Sequence, residues 1–178
     1  MSDVVLIYGG NSLQSRLKGI KDYSESYLDE RSISYESINV IDLPATDLIT
    51  ANFSSSDIEE ANEKVEKANA VIILTPVYKA SYTGILKTYL DLLPQKALKG
   101  KAVLPLMIGG SFGHLLAIDY ALKPVLSSLG ATNLLSGAYV IDQHVQRAEG
   151  NTFVLDEEAK ERLRVNLEIL VEELGHSR

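Results

Sequence analysis

Cysteine and tryptophan are absent from this chain, and methionine occurs only twice in 178 residues. Without cysteine there are no disulfides, no thiolate metal ligands and no thiol nucleophile, a composition expected of a reducing compartment. Histidine is almost as scarce. His114, His144 and His176 are the only 3, and no two stand at metal-ligand spacing. His144 falls in a polar stretch and His176 in the tail, and both are expected to be solvated. A basic excess is missing too. The 17 Lys and Arg against 24 Asp and Glu leave a net charge of −7, with no dense cationic block, which argues against nucleic acid as a main partner. No apolar run approaches the roughly 20 residues of a membrane span. Met1-Ser2-Asp3 leads straight into an apolar segment and not into the pattern of a signal peptide. The expectation is a cytoplasmic protein of one domain covering 1–178. Ser12 and Ser15 lack a nucleophile-elbow setting, and Asp3, Asp42 and Asp47 do not form the acidic pocket of a phospho-accepting regulator. The Glu and Lys run over 59–67 reads as a solvated helix face.

What is present is an alternation of two hydrophobic periods. Residues 4–8 (Val-Val-Leu-Ile-Tyr), 70–74 (Ala-Val-Ile-Ile-Leu) and 102–108 are unbroken apolar runs, as in strands buried on both faces. Residues 33–41 and 134–141 read as two further strands. Helical spacing follows each: 15–28, 57–68 (capped by Ser55, Ser56 or Asp57), 84–93, 114–129 with Gly130 as C-cap, and 157–174. The stretches 43–56 and 142–155 read as irregular. Pro105 inside the fourth strand would cost a ladder donor. Strands alternating with helices predict an α/β fold, a doubly wound parallel sheet, and about five strands suit the flavodoxin-like order 2-1-3-4-5.

In such sheets ligands bind at the carboxyl ends of strands. Three loops are predicted to meet there. Gly9-Gly10-Asn11-Ser12-Leu13-Gln14-Ser15-Arg16 offers glycines, hydroxyls, a helix N-terminus and one cation, a combination that binds phosphate. It is neither a P-loop nor a G-x-G-x-x-G, and an ordinary βα turn would read the same way. Pro76, Val77, Tyr78 and Lys79 form the second loop, where Tyr78 and Tyr82 also suit packing or a dimer contact. Gly109, Gly110, Ser111 and His114 form the third, where His114 suits a helix cap or packing as well as a ligand contact. Together, one phosphate-ready loop and two suited to a flat ring favour a mononucleotide with a planar base, such as FMN.

These residues carry a resemblance. Thr75-Pro76-Val77-Tyr78-Lys79-Ala80-Ser81-Tyr82-Thr83-Gly84, then Leu86-Lys87-Thr88 and Leu90-Asp91-Leu92-Leu93-Pro94, resemble the NAD(P)H-dependent FMN reductases. So do Gly109-Gly110-Ser111, His114-Leu115-Leu116-Ala117 and Asp119-Tyr120-Ala121-Leu122-Lys123-Pro124. The nearest likeness is the reductase component of alkanesulfonate two-component monooxygenase systems. The resemblance implies hydride transfer from NADPH or NADH to FMN, a homodimer or homotetramer, and a flavin-dependent monooxygenase as partner. It implies a phosphate loop at Gly10, Ser12, Ser15, Arg16 and Leu17. It places the isoalloxazine loop at Pro76–Lys79 and a ring-side loop at Gly109, Gly110, Ser111 and His114. The first loop departs from the family. Asn11 and Ser12 stand where Pro and Arg are frequent, Gly10 where Ser is frequent, and Leu17 where Ser is common, so one phosphate-side arginine has no counterpart.

Pro124 lies well inside the predicted helix over 114–129. It lacks an N–H and would clash with the carbonyl of Tyr120, four residues back. A π-bulge relieves both problems, and a simple kink is the alternative. In the resembled reductases a tyrosine here belongs to such a bulge at a subunit interface near the flavin. Hydride transfer between nicotinamide and flavin needs no protein nucleophile, so no catalytic acid–base pair is expected. Tyr120 and Lys79 are candidate modulators, Lys79 through the negative charge of reduced flavin. Three functions fit: a reductase that hands on reduced FMN, a bound-FMN quinone or azo-dye reductase, and a flavodoxin-like electron carrier.

Overall fold

The computed structural model describes residues 2–176; the side chain of His176 lies outside the described residues. The three apolar runs form the centre of a parallel sheet: β1 (Val4–Tyr8), β3 (Ala70–Pro76) and β4 (Ala102–Gly109). β2 (Tyr35–Asn39) lies outside β1, and β5 (Asn133–Leu134) with β6 (Ala138–Ile141) lies outside β4, giving the order β2-β1-β3-β4-β5 with β6 also paired to β4. This is the flavodoxin-like order expected from the sequence.

Alternation along each strand sends successive side chains to opposite faces. Val5, Ile7, Val71, Ile73, Val103 and Met107 meet one helical layer: α2 (Ala45–Thr50), α3 (Ser56–Lys67), α4 (Gly84–Leu90) and α5 (Lys123–Ser128). Val4, Leu6, Ile72, Leu74, Leu104 and Leu106 meet the other, made of α1 (Leu17–Asp29) and α6 (Glu157–His176). On α6, Ala159, Leu163, Leu167, Leu170 and Leu174 recur at helical spacing and are all buried.

Pro105 is accommodated by a split in its neighbour. The fifth strand pairs with β4 at Val103↔Leu134, leaves it, and returns at Leu106↔Ala138. The gap stands opposite Pro105, where a donor would have no use. Gly137 closes the detour at φ +84, and a Cβ there would lie 2.5 Å from the Pro105 carbonyl oxygen.

Two stretches read as irregular are ordered. The region over 43–56 contains α2, whose six residues are too short to show a helical period. The region over 142–155 contains an antiparallel hairpin, β7 (Val145–Arg147) and β8 (Phe153–Leu155), two strands of three residues each. His144 is mostly covered and not solvated, because its Nδ1 lies 2.6 Å from the Asp156 carboxylate while its carbonyl accepts the Asp156 N–H. Asp156 also accepts the Ala159 N–H at 2.9 Å, capping α6, and these contacts hold its carboxyl below the usual range. Ser55 precedes α3 without a side-chain capping bond. The helix predicted over 114–129 is broken into a 3-10 turn (Phe112–His114), a π turn (Ile118–Leu122) and α5, with Gly130 at φ +88 after it. The Lys123 N–H reaches back to the Ile118 carbonyl, the i→i+5 bond of a π-bulge, so Pro124 is relieved by widening and not by kinking. Among the described residues, no helix is long and apolar enough to cross a membrane.

Candidate functional site

The first loop is wrapped around the hydroxyl of Tyr8, the last residue of β1. That hydroxyl donates to the Ser12 carbonyl at 2.8 Å and pairs with Ser15 Oγ at 3.0 Å. Burial pushes the phenol's pKa upward. Gly10 is required by closeness, since a Cβ there would lie 2.6 Å from the Tyr8 ring. Ser12 Oγ accepts the Gln14 N–H at 3.0 Å. α1 then opens without a side-chain cap and without an acidic residue in its first turn. The Lys18 and Gly19 N–H groups donate to the Ser15 and Arg16 carbonyls, each at 3.0 Å, and the helix's partial positive end has no side-chain counter-charge in that turn.

The second loop is tied to the first through Thr83, which is buried. Its Oγ1 donates to the Gly9 carbonyl at 2.5 Å and accepts the Leu86 N–H at 3.2 Å, capping α4. Its own N–H donates to Thr75 Oγ1 at 3.2 Å. Between Thr75 and Thr83 the chain folds into a turn in which Tyr78 and Ser81 exchange backbone bonds of 2.9 and 3.2 Å. Lys79 and Ala80 both take positive φ, +50 and +63, the geometry of a type I′ turn that favours Asn-Gly. Ala80→Gly relieves one left-handed residue and is expected to stabilise the protein by about 0.5–1 kcal/mol in denaturant melts.

The third loop leaves β4 at Gly109. A Cβ there would lie 2.2 Å from the Tyr139 hydroxyl, whereas nothing lies within 4 Å of one at Gly110. The loop's Phe112 sits 6.1 Å from the Tyr139 ring, and the Arg162 guanidinium lies 5.0 Å from the centroid of the Phe112 ring.

The three loops converge on one cleft of about 260 Å³, walled by Ser15, Arg16 and Leu17, by Pro76, Val77 and Tyr78, and by Ile108, Gly109 and Gly110. Of the residues expected from the sequence, Gly10, Ser12, Lys79, Ser111 and His114 stand outside that wall. Gly10 and Ser12 shape the first loop. Lys79 occupies the exposed turn, and Ser111 and His114 lie on the exposed segment beyond Gly110. Among the described residues His114 makes no capping bond. Two wall residues escape the sequence pattern, Asp142 and Arg147, which reach the cleft from the far end of the chain. Among the described residues no group of three or more His, Asp or Glu side chains could hold a metal ion.

The cleft fits a flavin mononucleotide. One end has an uncapped helix N-terminus, Ser15 and guanidinium groups, a donor set for a phosphate dianion. The other has a glycine floor with open space above Gly110 and the Val77–Tyr78 wall, a slot for a ring.

Comparisons with known proteins agree. Residues 2–146 match the family model described as NADPH-dependent FMN reductase. An FMN reductase (NADPH) of Pseudomonas putida is 45% identical over 166 residues, 93% of this chain and 84% of that protein. One of Escherichia coli is 42% identical over 142 residues, 80% of this chain and 74% of that protein. The apo structure of the NADH:FMN oxidoreductase EMOB superposes with a TM-score of 0.84 at 34% identity, covering 96% of this chain and 88% of the other. With its sheet order, its three converging loops and a family match over most of its length, the chain belongs to the NADPH-dependent FMN reductase family.

Proposed function

We propose that the protein takes hydride from NADPH or NADH onto FMN and releases the reduced flavin to a flavin-dependent monooxygenase, of the kind used in sulfonate or sulfur assimilation. The observation that carries this reading is the form of the cleft. It is a cleft only partly enclosed by protein, walled by the polar donors Ser15, Arg16 and Arg147 and by the apolar Leu17, Pro76, Val77 and Ile108. A permanently held cofactor is generally buried over most of its surface, and a cleft that keeps an opening to solvent suits exchange. When bound, FMN supplies the hydride-accepting centre, so the protein's part is to bind, orient and release. In this reading Ser15, Arg16 and the start of α1 hold the phosphate, while Pro76, Val77, Tyr78, Gly109 and Gly110 bracket the ring. Lys79, Ser111 and His114 border it on the two exposed turns beyond the wall.

The same reading includes a homodimer or homotetramer. Phe112, Leu115, Leu116 and Tyr120 are 41, 45, 57 and 79% exposed, an apolar stretch running from the third loop into the π turn. Such a stretch favours a contact with another copy. It starts beside Gly110, so a second copy seated there would cover one side of the cleft.

The test is oxidation of NADPH and of NADH by the purified protein, with and without free FMN, together with sedimentation of the same sample. A colourless protein whose turnover saturates with added FMN supports release. Turnover that ignores added FMN and requires a quinone or dye overturns it in favour of a bound-flavin reductase. Absence of turnover leaves an electron carrier, and a monomer in sedimentation removes the interface.

A further inference from the structure

The first loop has one arginine, Arg16, and Ser12 stands where the resembled pattern has another. The fold brings a second guanidinium to the same place from another element. Arg147, on β7, walls the cleft beside Ser15 and Arg16 although it lies 133 positions from Gln14. Its Nη2 donates to the Gln14 carbonyl, and its Cζ lies 5.0 Å from the centroid of the Phe153 ring. Two further bonds fasten the hairpin to the loop: Arg16 Nε donates to the Val145 carbonyl at 2.8 Å, and Asn151 Nδ2 to the Leu13 carbonyl at 2.9 Å. Gly19 on α1 lets the hairpin approach, since a Cβ there would lie 2.7 Å from Phe153 Cβ.

Both guanidinium groups keep donors in hand. Among the described residues, neither Arg16 nor Arg147 has an ion pair, although most other cations of the chain do. Asp142 shares the cleft as the one carboxylate on its wall, and among the described residues it forms no ion pair with either arginine. In a protein of net charge −7, two cations held by carbonyls instead of carboxylates, at an uncapped helix N-terminus, form a site for an anion. Holding each arginine by one N–H fixes the group before the ligand arrives and leaves the remaining donors for it.

We propose that Arg147 is a phosphate-binding residue of the FMN site, standing in space where the first loop lacks an arginine in sequence. The proposal rests on the flavin reading of the cleft. Its test compares FMN with riboflavin, which has the same ring and no phosphate, by equilibrium titration of flavin fluorescence. In Arg147→Gln, which removes the charge and keeps a donor, the Kd for FMN is expected to rise roughly 10–100-fold. The Kd for riboflavin is expected to stay within about twofold, and FMN binding should lose part of its salt dependence. Asn151→Ala loosens the same latch without removing a charge, and is expected to change both flavins alike and by only a few-fold. An unchanged FMN affinity in Arg147→Gln overturns the proposal. So does an equal loss for both flavins, which would make Arg147 a latch and nothing more. A wild-type protein that binds FMN no better than riboflavin removes the phosphate site altogether, and one that binds neither removes the flavin reading itself.

Discussion

Thr83→Val is expected to lower stability by about 2–4 kcal/mol and to weaken FMN binding at least tenfold. The exchange is close to isosteric, so it opens no cavity, and the loss is polar. Thr83 is buried and its hydroxyl serves two groups at once, the Gly9 carbonyl at 2.5 Å and the Leu86 N–H at 3.2 Å. Without it both groups remain buried and unpartnered, each costing about 1–3 kcal/mol, and α4 loses its N-cap. For a chain of this length the melting temperature should fall by roughly 5–15 °C. The loss of affinity follows from position. Gly9 begins the first loop, proposed above to hold the phosphate, and Thr83 ends the loop that carries Val77 and Tyr78, so one hydroxyl ties together two of the loops that wall the cleft. Thr83→Ser keeps the hydroxyl and should recover most of both effects. A Thr83→Val protein that melts within a degree of wild type would show that water replaces the hydroxyl, and the coupling of the two loops would fall with it.

Much of this arrangement was legible in the residue order. Buried parallel strands need apolar side chains on both faces, so β1, β3 and β4 announce themselves as unbroken runs, and the loops after them are marked by Gly9-Gly10, Pro76 and Gly109-Gly110. A disturbance around Tyr120 was legible as well, because Pro124 removes a donor and crowds the Tyr120 carbonyl. The sequence left a π-bulge and a simple kink both open, and the structure shows the bulge at Ile118–Leu122. What escaped was short or distant. A three-residue strand has no measurable period, so β7 and β8 were hidden among polar residues. Asp142 and Arg147 were hidden with them. The place of Arg147 at the cleft depends on the hairpin seating against Gly19, a contact between residues more than a hundred positions apart, whereas Asp142 directly follows β6 at the rung Gly109↔Ile141. Tyr8 escaped for another reason. Its ring belongs to the apolar period of β1, and nothing in that period shows that its hydroxyl holds Ser12 and Ser15.

Gly109 shows how a site glycine can be demanded by its neighbour rather than by backbone angle or ligand. A Cβ at Gly109 would stand 2.2 Å from the Tyr139 hydroxyl and 3.3 Å from Val77 Cβ. Tyr139 is itself buried, its hydroxyl has no hydrogen-bond partner among the described residues, and burial, then the charge of Asp142, push its pKa up. Gly109→Ala therefore forces β4 and β6 apart at the rung Gly109↔Ile141 or drives the Tyr139 ring toward Phe112. Overpacking of this kind costs about 1–3 kcal/mol. Because Val77 and Gly110 move with it, FMN affinity should fall by an order of magnitude or more. Tyr139→Phe alone removes a buried hydroxyl that satisfies nothing, and is expected to be neutral or to stabilise by up to about 1 kcal/mol. In the double variant the 2.2 Å contact is gone and the next, to the ring carbon at 3.1 Å, remains. Gly109→Ala should then cost about 1–2 kcal/mol less in the Tyr139→Phe background than in the wild type, a coupling readable from denaturant melts of the four proteins. Equal costs in the two backgrounds would mean that the hydroxyl is not what excludes a side chain at Gly109. The demand for glycine would then come from the Val77 side of the cleft, and Val77→Ala would be the variant that rescues Gly109→Ala.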